Sequence, residues 1–268
     1  FSNTMKTSFG ICRQAYIPLR AEDDERSEQV SQILFGERFI IERFEKKSGF
    51  SYVISDFDEY SGWIDTKTIV FIEEKDYRKY EQQKVFCSSE IISRLESEDQ
   101  SGAFILIGAG SSIYENEKKF QIGTRTFKIP QNLFKSFNDK RTFLLESGKK
   151  LESIPYLWGG RSSFGFDCSG LVQNLYKQAG VVLPRDSTEQ SRKGKVVNFF
   201  HEALPGDLAF FDDEEMIIKH VGVIMEGNKI LHASGKVRID KLDHQGIFSE
   251  DIQAYTHKLR LIRNVIED

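Results

Sequence analysis

The chain has 268 residues, 39% of them apolar and 29% charged, with 22 phenylalanines and a formal net charge of −4. That much apolar material can fill a packed core, which excludes a disordered chain. The near-balanced charge lacks the basic footprint of a nucleic-acid binder, and no apolar run approaches the ~18 residues a membrane-spanning helix needs, so neither a nucleic acid nor a membrane is expected as a partner.

The chain opens at Phe1, and Met5 is its first methionine. A start at Met5 points to the cytoplasm; a removed leader would instead place the protein in the periplasm or at the cell wall, but no basic-then-apolar segment is visible. Cys12, Cys87 and Cys168 form no CxxC pair, so neither a disulfide framework nor a zinc site is expected. Free thiols favour the cytoplasmic setting, and no metal or cofactor is expected.

Residues 17–20, 30–34, 39–44, 50–55 and 60–64 are short apolar and aromatic runs. Acidic residues 22–25, Gly36 and the turn-like 46–49 separate them. This spacing predicts a small β-barrel as a first domain, residues 1–76. The charged stretch 73–79 reads as a linker. A second, less regular β domain is expected over 77–136, with strand candidates at 102–107, 112–114 and 120–129.

The pattern changes in the third domain, 137–268. Asn138 or Asp139 is placed to cap a helix running to about Leu151. After the turn Trp158-Gly159-Gly160, a second helix is predicted from Asp167–Cys168 to Ala179, with Gly180 ending it. Strands are predicted at 207–211, 219–225, 229–233 and 258–265. The turn Glu226-Gly227-Asn228 makes the middle two a hairpin. Helices first and antiparallel strands afterwards give an α+β class.

Cys168 lies at the first turn of its predicted helix, where the helix dipole favours a thiolate, the nucleophile for acyl transfer. A lone cysteine is more often a buried, inert residue. Among the five histidines, His201, His244 and His257 have polar neighbours and read as surface residues. With a turn at Gly227, position 220 pairs with about 233–234. His220 and His232 therefore lie close on neighbouring strands, either as base and orienting residue or as two satisfied core side chains.

Tyr156-Leu157-Trp158-Gly159-Gly160 and Phe166-Asp167-Cys168-Ser169-Gly170-Leu171-Val172 resemble the nucleophile segment of the NlpC-type cell-wall cysteine peptidases. Leu183-Pro184-Arg185-Asp186-Ser187 with Gln190, Pro205-Gly206-Asp207-Leu208, His220-Val221-Gly222-Val223 and His232-Ala233-Ser234 follow in the family's order, covering about residues 138–265. The resemblance implies a papain-like catalytic domain, a cysteine-bearing helix packed on an antiparallel sheet. It implies Cys168 as nucleophile, His220 as base and His232 as third member, with amide hydrolysis through a thioester. The expected oxyanion donors are the Cys168 backbone N–H and the Tyr156 hydroxyl.

The front half resembles the family too. Pro18-Leu19-Arg20-Ala21-Glu22, Leu34-Phe35-Gly36-Glu37 and Tyr60-Ser61-Gly62-Trp63 are similar to the bacterial SH3-like domain of one branch. That branch comprises the gamma-D-glutamyl-L-diamino-acid endopeptidases, also called dipeptidyl-peptidase VI. They release L-Ala-gamma-D-Glu from murein peptides with a free N-terminal alanine. The resemblance implies that the SH3-like domain closes one end of the groove. It implies that Glu28, Tyr60 and Asp167 hold the substrate ammonium, with Ser169 and Ser187 lining the groove. Asp167 also reads as the helix N-cap. The expected partner is a murein tripeptide or tetrapeptide, and the chain is expected to be a monomer. The acidic Asp212-Asp213-Glu214-Glu215-Met216 reads as a solvated hairpin tip or as a contact for the cationic side chain of the diamino acid. Two other classes stay open: another amidase, hydrolase or acyltransferase of the same fold, and a non-catalytic wall-binding protein.

Overall fold

The computed structural model describes residues 8–114 and 118–266. Met5, and with it the expected start, lies outside the described residues. The chain divides into two compact units, Phe1–Lys135 and Ser136–Asp268. No helix among the described residues is long and apolar enough to cross a membrane.

The first unit is mostly β-strand. Its main sheet holds β1 (Ser8–Ile11), β2 (Tyr16–Arg20), β3 (Gln29–Leu34), β4 (Arg38–Glu45), β5 (Phe50–Ser55), β6 (Ser61–Asp65) and β7 (Val70–Ile72). Their spatial order is β3-β2-β6-β5-β4-β1-β7. In β2 the burial alternates, so Ile17 and Leu19 point inward while Tyr16, Pro18 and Arg20 stay half-exposed. Those two join Ile33, Phe39, Ile41, Val53 and Ile64 in one apolar core.

The charged stretch expected to be a linker is mostly helix, α1 (Glu74–Glu81). Two features that composition hides explain this. Arg78 pairs with Glu74 one turn back at 3.7 Å and with Glu81 at 3.0 Å. Tyr77 is buried, its ring 4.2 Å from that of Phe9 and its hydroxyl donating to Asp56. After α1 come β8 (Val85–Cys87), β9 (Ile92–Glu96), β10 (Phe104–Gly108), β11 (Ser112–Tyr114), β12 (Lys119–Ile122) and β13 (Arg125–Lys128). They pair as β8–β11, β9–β10 and β12–β13. The single strand candidate at 120–129 is thus a hairpin. Leu95, Ile107, Ile113, Phe120 and Phe127 share a core with Ile11 and Phe35.

The second unit opens with α2 (Lys140–Lys150), capped by Asp139, whose carboxylate accepts from the Arg141 and Thr142 N–H groups. The short hairpin β14 (Arg161–Ser162) and β15 (Gly165–Phe166) leads into α3 (Cys168–Gln178). All eleven residues of α3 are buried. Two of its polar side chains are tied to the backbone: Gln173 donates to the Leu183 carbonyl at 3.0 Å and Asn174 to the Arg161 carbonyl at 2.9 Å. Gly180 follows in the left-handed region, φ +74°, where the chain reverses out of the helix.

The remaining elements are α4 (Ser187–Gln190), β16 (Lys195–Val197), β17 (Leu208–Asp212), β18 (Ile218–Met225), β19 (Lys229–Ser234), β20 (Lys236–Leu242), β21 (Gly246–Ser249) and β22 (Ala254–Asn264). Strands β17 to β22 are neighbours in chain order, and β22 pairs with both β21 and β17, closing a ring; β16 adds to β22 outside it. One face carries Ala209, Phe211, Ile224, Ile230, Leu242 and Ile247 as a core. Alternation turns the buried Val221, Val223, Leu231 and Ala233 to the other face. That side of β18 and β19 receives α3. The result is the expected α+β arrangement, a buried cysteine-bearing helix on an antiparallel sheet.

Candidate active site

Cys168 is the first residue of α3, and Asp167 is its N-cap. The Asp167 carboxylate accepts from the Gly170 N–H at 2.7 Å, the Gly159 N–H at 3.0 Å and the Ser169 hydroxyl at 3.3 Å. Arg185, 2% exposed along its side chain, spans both carboxylate oxygens, with Nη1 at 3.1 Å from one and Nη2 on the other. Arg185 also donates to the Ser169 hydroxyl at 2.8 Å. Asp167 therefore ties the Gly-rich turn, the helix start and the segment before α4 to one point. Gly170 has to be glycine for the turn to close, because a Cβ there would lie 2.1 Å from the Gly160 carbonyl oxygen.

The thiol of Cys168 lies 4.0 Å from the carbonyl oxygen of Lys219, the residue before His220. Burial pushes this thiol up to about 11, and the Asp167 carboxylate adds to the rise; the N–H groups of Val221 and Ser169 and the Arg185 charge oppose it without winning. The sequence reading expects the helix N-terminus to favour a thiolate. Desolvation outweighs it here, so the thiol rests neutral and has to lose its proton during attack.

The two histidines expected to be adjacent are hydrogen-bonded, His220 Nε2 to His232 Nδ1 at 2.9 Å. His232 Nε2 in turn lies 2.9 Å from Asp240 Oδ2. His257, expected at the surface, is half-buried, and its ring stacks on His220 with centroids 4.1 Å apart. The final strand begins at Ala254, four residues earlier than expected, which carries His257 into the sheet. Burial lowers His220 well below the ordinary histidine value, and His232 and His257 lower it further. Burial likewise lowers His257 to about 4, helped by His232 and opposed by Asp240.

Both rings are held neutral in the fold, whereas the unfolded chain takes up these protons near pH 6.5. The stabilisation is complete above about pH 6.5 and drains away as pH falls toward 4. The melting temperature is expected to drop between pH 7.5 and pH 5, and His257→Phe is expected to flatten that slope in calorimetric scans.

Tyr156 is half-buried and its hydroxyl is raised to about 12 by burial first, then by the Cys168 and Asp167 charges. Ser169 is buried between Asp167 and Arg185. Ser187 opens α4, and the next residue, Thr188, donates to the Ile218 carbonyl of β18 at 3.2 Å. Glu28 and Tyr60 belong to the first unit. Glu28 is exposed just before β3, with its carbonyl accepting from the Ala21 N–H at 3.0 Å, and Tyr60 is half-buried against the β-core. The acidic segment is the turn between β17 and β18, where Asp213 accepts from the Glu215 and Ile217 N–H groups, each at 3.0 Å. Asp212, Asp213 and Glu214 line a cavity that His257 also lines.

Residues 153–256 match the NlpC/P60 family, and residues 19–69 match the bacterial dipeptidyl-peptidase SH3 domain. The first of these two matches lies wholly within the second unit. This NlpC/P60 match includes Cys168, His220, His232 and Asp240 and stops one residue short of His257. The gamma-D-glutamyl-L-lysine dipeptidyl-peptidase of Bacillus subtilis is 42% identical over 92 residues, 34% of this chain and 31% of that protein. The protein of the same name from Bacillus cereus is 38% identical over 112 residues, 40% and 33% of the two chains. The chain thus matches about a third of the length of these curated relatives. The crystal structure of an NlpC/P60 family protein from Bacillus cereus superposes with a TM-score of 0.79 at 19% identity, over 97% of this chain and 100% of that one. The two chains therefore share a fold.

Arg185, Asp240 and His257 are the residues that sequence reading leaves without a role. Arg185 stands inside a quoted motif, but nothing local says that its partner is Asp167. Asp240 has a signal: Ser234-Gly235 is a turn that pairs His232 with Arg238 and sets Asp240 diagonally across.

Proposed function

We propose that this protein is a cysteine peptidase that hydrolyses the gamma-D-Glu–L-diamino-acid bond of murein peptides with a free N-terminal L-Ala, releasing L-Ala-gamma-D-Glu. The observation that carries the chemistry is Cys168 at the start of a buried helix, beside the β18–β19 hairpin that bears the hydrogen-bonded His220–His232 pair. His220 accepts the thiol proton while the sulfur attacks the amide carbon. The Cys168 N–H and the Tyr156 hydroxyl take the developing oxyanion, and the amine leaves with the proton from His220. Water then hydrolyses the thioester.

The substrate choice is supported by the names of the two Bacillus relatives and by the SH3 match. Glu28, Tyr60 and Asp167 are the residues this reading assigns to the free amine. Asp167 also meets the Arg185 guanidinium, and this reading adds Glu28 as the second carboxylate. A neutral amide in place of the ammonium would leave that charge without its partner. In this reading the chain works as a monomer on soluble peptides in the cytoplasm.

The test is turnover of L-Ala-gamma-D-Glu-L-Lys and of its N-acetylated form. The free peptide is expected to be cut, the acetylated one to be spared, and Glu28→Gln to lower kcat/KM for the free peptide by about 10-fold or more. Equal cleavage of both peptides would sink the amine-gated reading. Solubilisation of intact sacculi, indifferent to Glu28→Gln, would point to a different wall hydrolase on the same fold.

A further inference from the structure

The assignment of Cys168 and His220 above leaves open what decides which nitrogen of His220 carries a proton. Both of its possible answers are neutral, and only one leaves a base. His220 Nε2 is engaged with His232 Nδ1 at 2.9 Å, so Nδ1 is the nitrogen left for the thiol proton. Nδ1 is a base only if the proton sits on Nε2, which in turn requires His232 Nδ1 to accept. His232 Nδ1 accepts only if the His232 proton sits on its own Nε2. Everything therefore depends on what faces His232 Nε2, and that group is the Asp240 carboxylate at 2.9 Å.

An ionised carboxylate can only accept. Burial pushes the Asp240 carboxyl up, but hydrogen bonds from His232 and Arg238 outweigh burial and hold it below the usual carboxylate range. Arg238 clamps it from the same strand, Nη2 to Oδ1 at 2.8 Å and Nε to Oδ2 at 2.6 Å, and is itself held by Asp251 at 2.7 Å. The cluster is dry: His232 is 1% exposed and the Asp240 side chain 8%. The groups facing His220 are His232 from β19, His257 from β22 and Phe211 from β17, while Cys168 of α3 lies against the Lys219 carbonyl.

We propose that Asp240 is a positioning residue: it fixes the direction of both hydrogen bonds in the chain Asp240–His232–His220, and so keeps Nδ1 of His220 unprotonated and ready to take the Cys168 proton. When that proton arrives, His220 becomes a cation still donating through Nε2. The Asp240 charge stabilises it through the neutral His232, with no further proton moved. Nothing in this step needs a co-reactant.

This inference rests on Cys168 being the nucleophile, but its test does not rest on any substrate. In the ¹⁵N-labelled full chain at pH 7.5, imidazole nitrogen–proton correlations are expected to show both His220 and His232 in the Nε2–H form. Asp240→Ala is expected to mix the tautomers of both rings. It is also expected to slow alkylation of Cys168 by iodoacetamide on the order of 10–100-fold at pH 7, less than the ~10⁴-fold loss seen where the group bonded to the base itself is changed. The deficit should shrink as pH rises toward 11, where the thiol ionises without help. Arg238→Gln removes the clamp but keeps the carboxylate, and is expected to stay within about 3-fold of the parent.

Unchanged tautomers and an unchanged alkylation profile in Asp240→Ala would overturn the proposal. So would an Arg238→Gln protein that reproduces the Asp240→Ala loss of alkylation with both rings still in the Nε2–H form, since that result assigns the effect to scaffolding. If Asp240→Ala does not fold, Asp240→Asn is read the same way: its amide can donate as well as accept, so a mixed His232 tautomer supports the proposal and an unmixed one refutes it. Failure of peptide turnover with the tautomers intact would count against the peptidase reading alone.

Discussion

Cys168→Ala is expected to lower peptide hydrolysis on the order of 10⁴-fold or more while leaving the melting temperature within a few degrees of the parent. The size of the effect follows from the reaction, which has no covalent intermediate without the sulfur. The small effect on stability follows from the site. The residue is 9% exposed, its thiol is neutral, and its sulfur approaches the Lys219 carbonyl only at 4.0 Å. The variant should still bind peptide, measurable by calorimetry with L-Ala-gamma-D-Glu-L-Lys. Alkylation separates the two buried thiols: Cys168 should react with iodoacetamide before Cys12, which is fully buried and whose thiol burial pushes far above its ordinary value. Hydrolysis that survives Cys168→Ala, or Cys168 reacting no faster than Cys12, would return the chain to the wall-binding reading.

The second large effect is expected at Arg185. Arg185→Met leaves the buried Asp167 carboxylate without its two-oxygen partner and is expected to cost about 3–5 kcal/mol. In differential scanning calorimetry of the full chain this should appear as a drop of roughly 10–20 °C in the transition that contains the second unit. Asp167 retains its N–H donors from Gly159 and Gly170, so the loss should stop short of unfolding. Adding Asp167→Asn to Arg185→Met should recover part of it, because the orphaned charge is then gone. A shift below about 3 °C in Arg185→Met would mean that water reaches Asp167 and that the pair contributes little. Activity should fall with it, because the same carboxylate holds the turn in front of the nucleophile.

These two residues also mark how much the sequence discloses. The ends of α2 and α3 are legible because caps are local: Asp139 and Asp167 sit next to the N–H groups they accept from, and Gly180 next to the last turn. The β18–β19 hairpin is legible for the same reason, its turn at Gly227-Asn228 lying between the two runs. The neighbourhood of His220 and His232 follows from that hairpin. What composition conceals is partnership across distance. The charged 73–79 stretch looks like a linker until Tyr77 is seen against Phe9. His257 looks like a surface residue until β22 is paired with β21 and β17. The thiol is the subtler case: its helix position is legible, but the burial that keeps it protonated is a property of the packed sheet.

The ring of strands has a consequence for synthesis. Cys168, His220, His232 and Asp240 are all in place along the chain before β22 is made, yet the ring closes only when β22 docks between β21 and β17. That closure joins strands far apart in sequence and is the slow, non-local step of folding. A nascent chain therefore carries every reacting group without the sheet that orients them, and His257 reaches the face of His220 last. The order of these groups around His220 thus waits on β22.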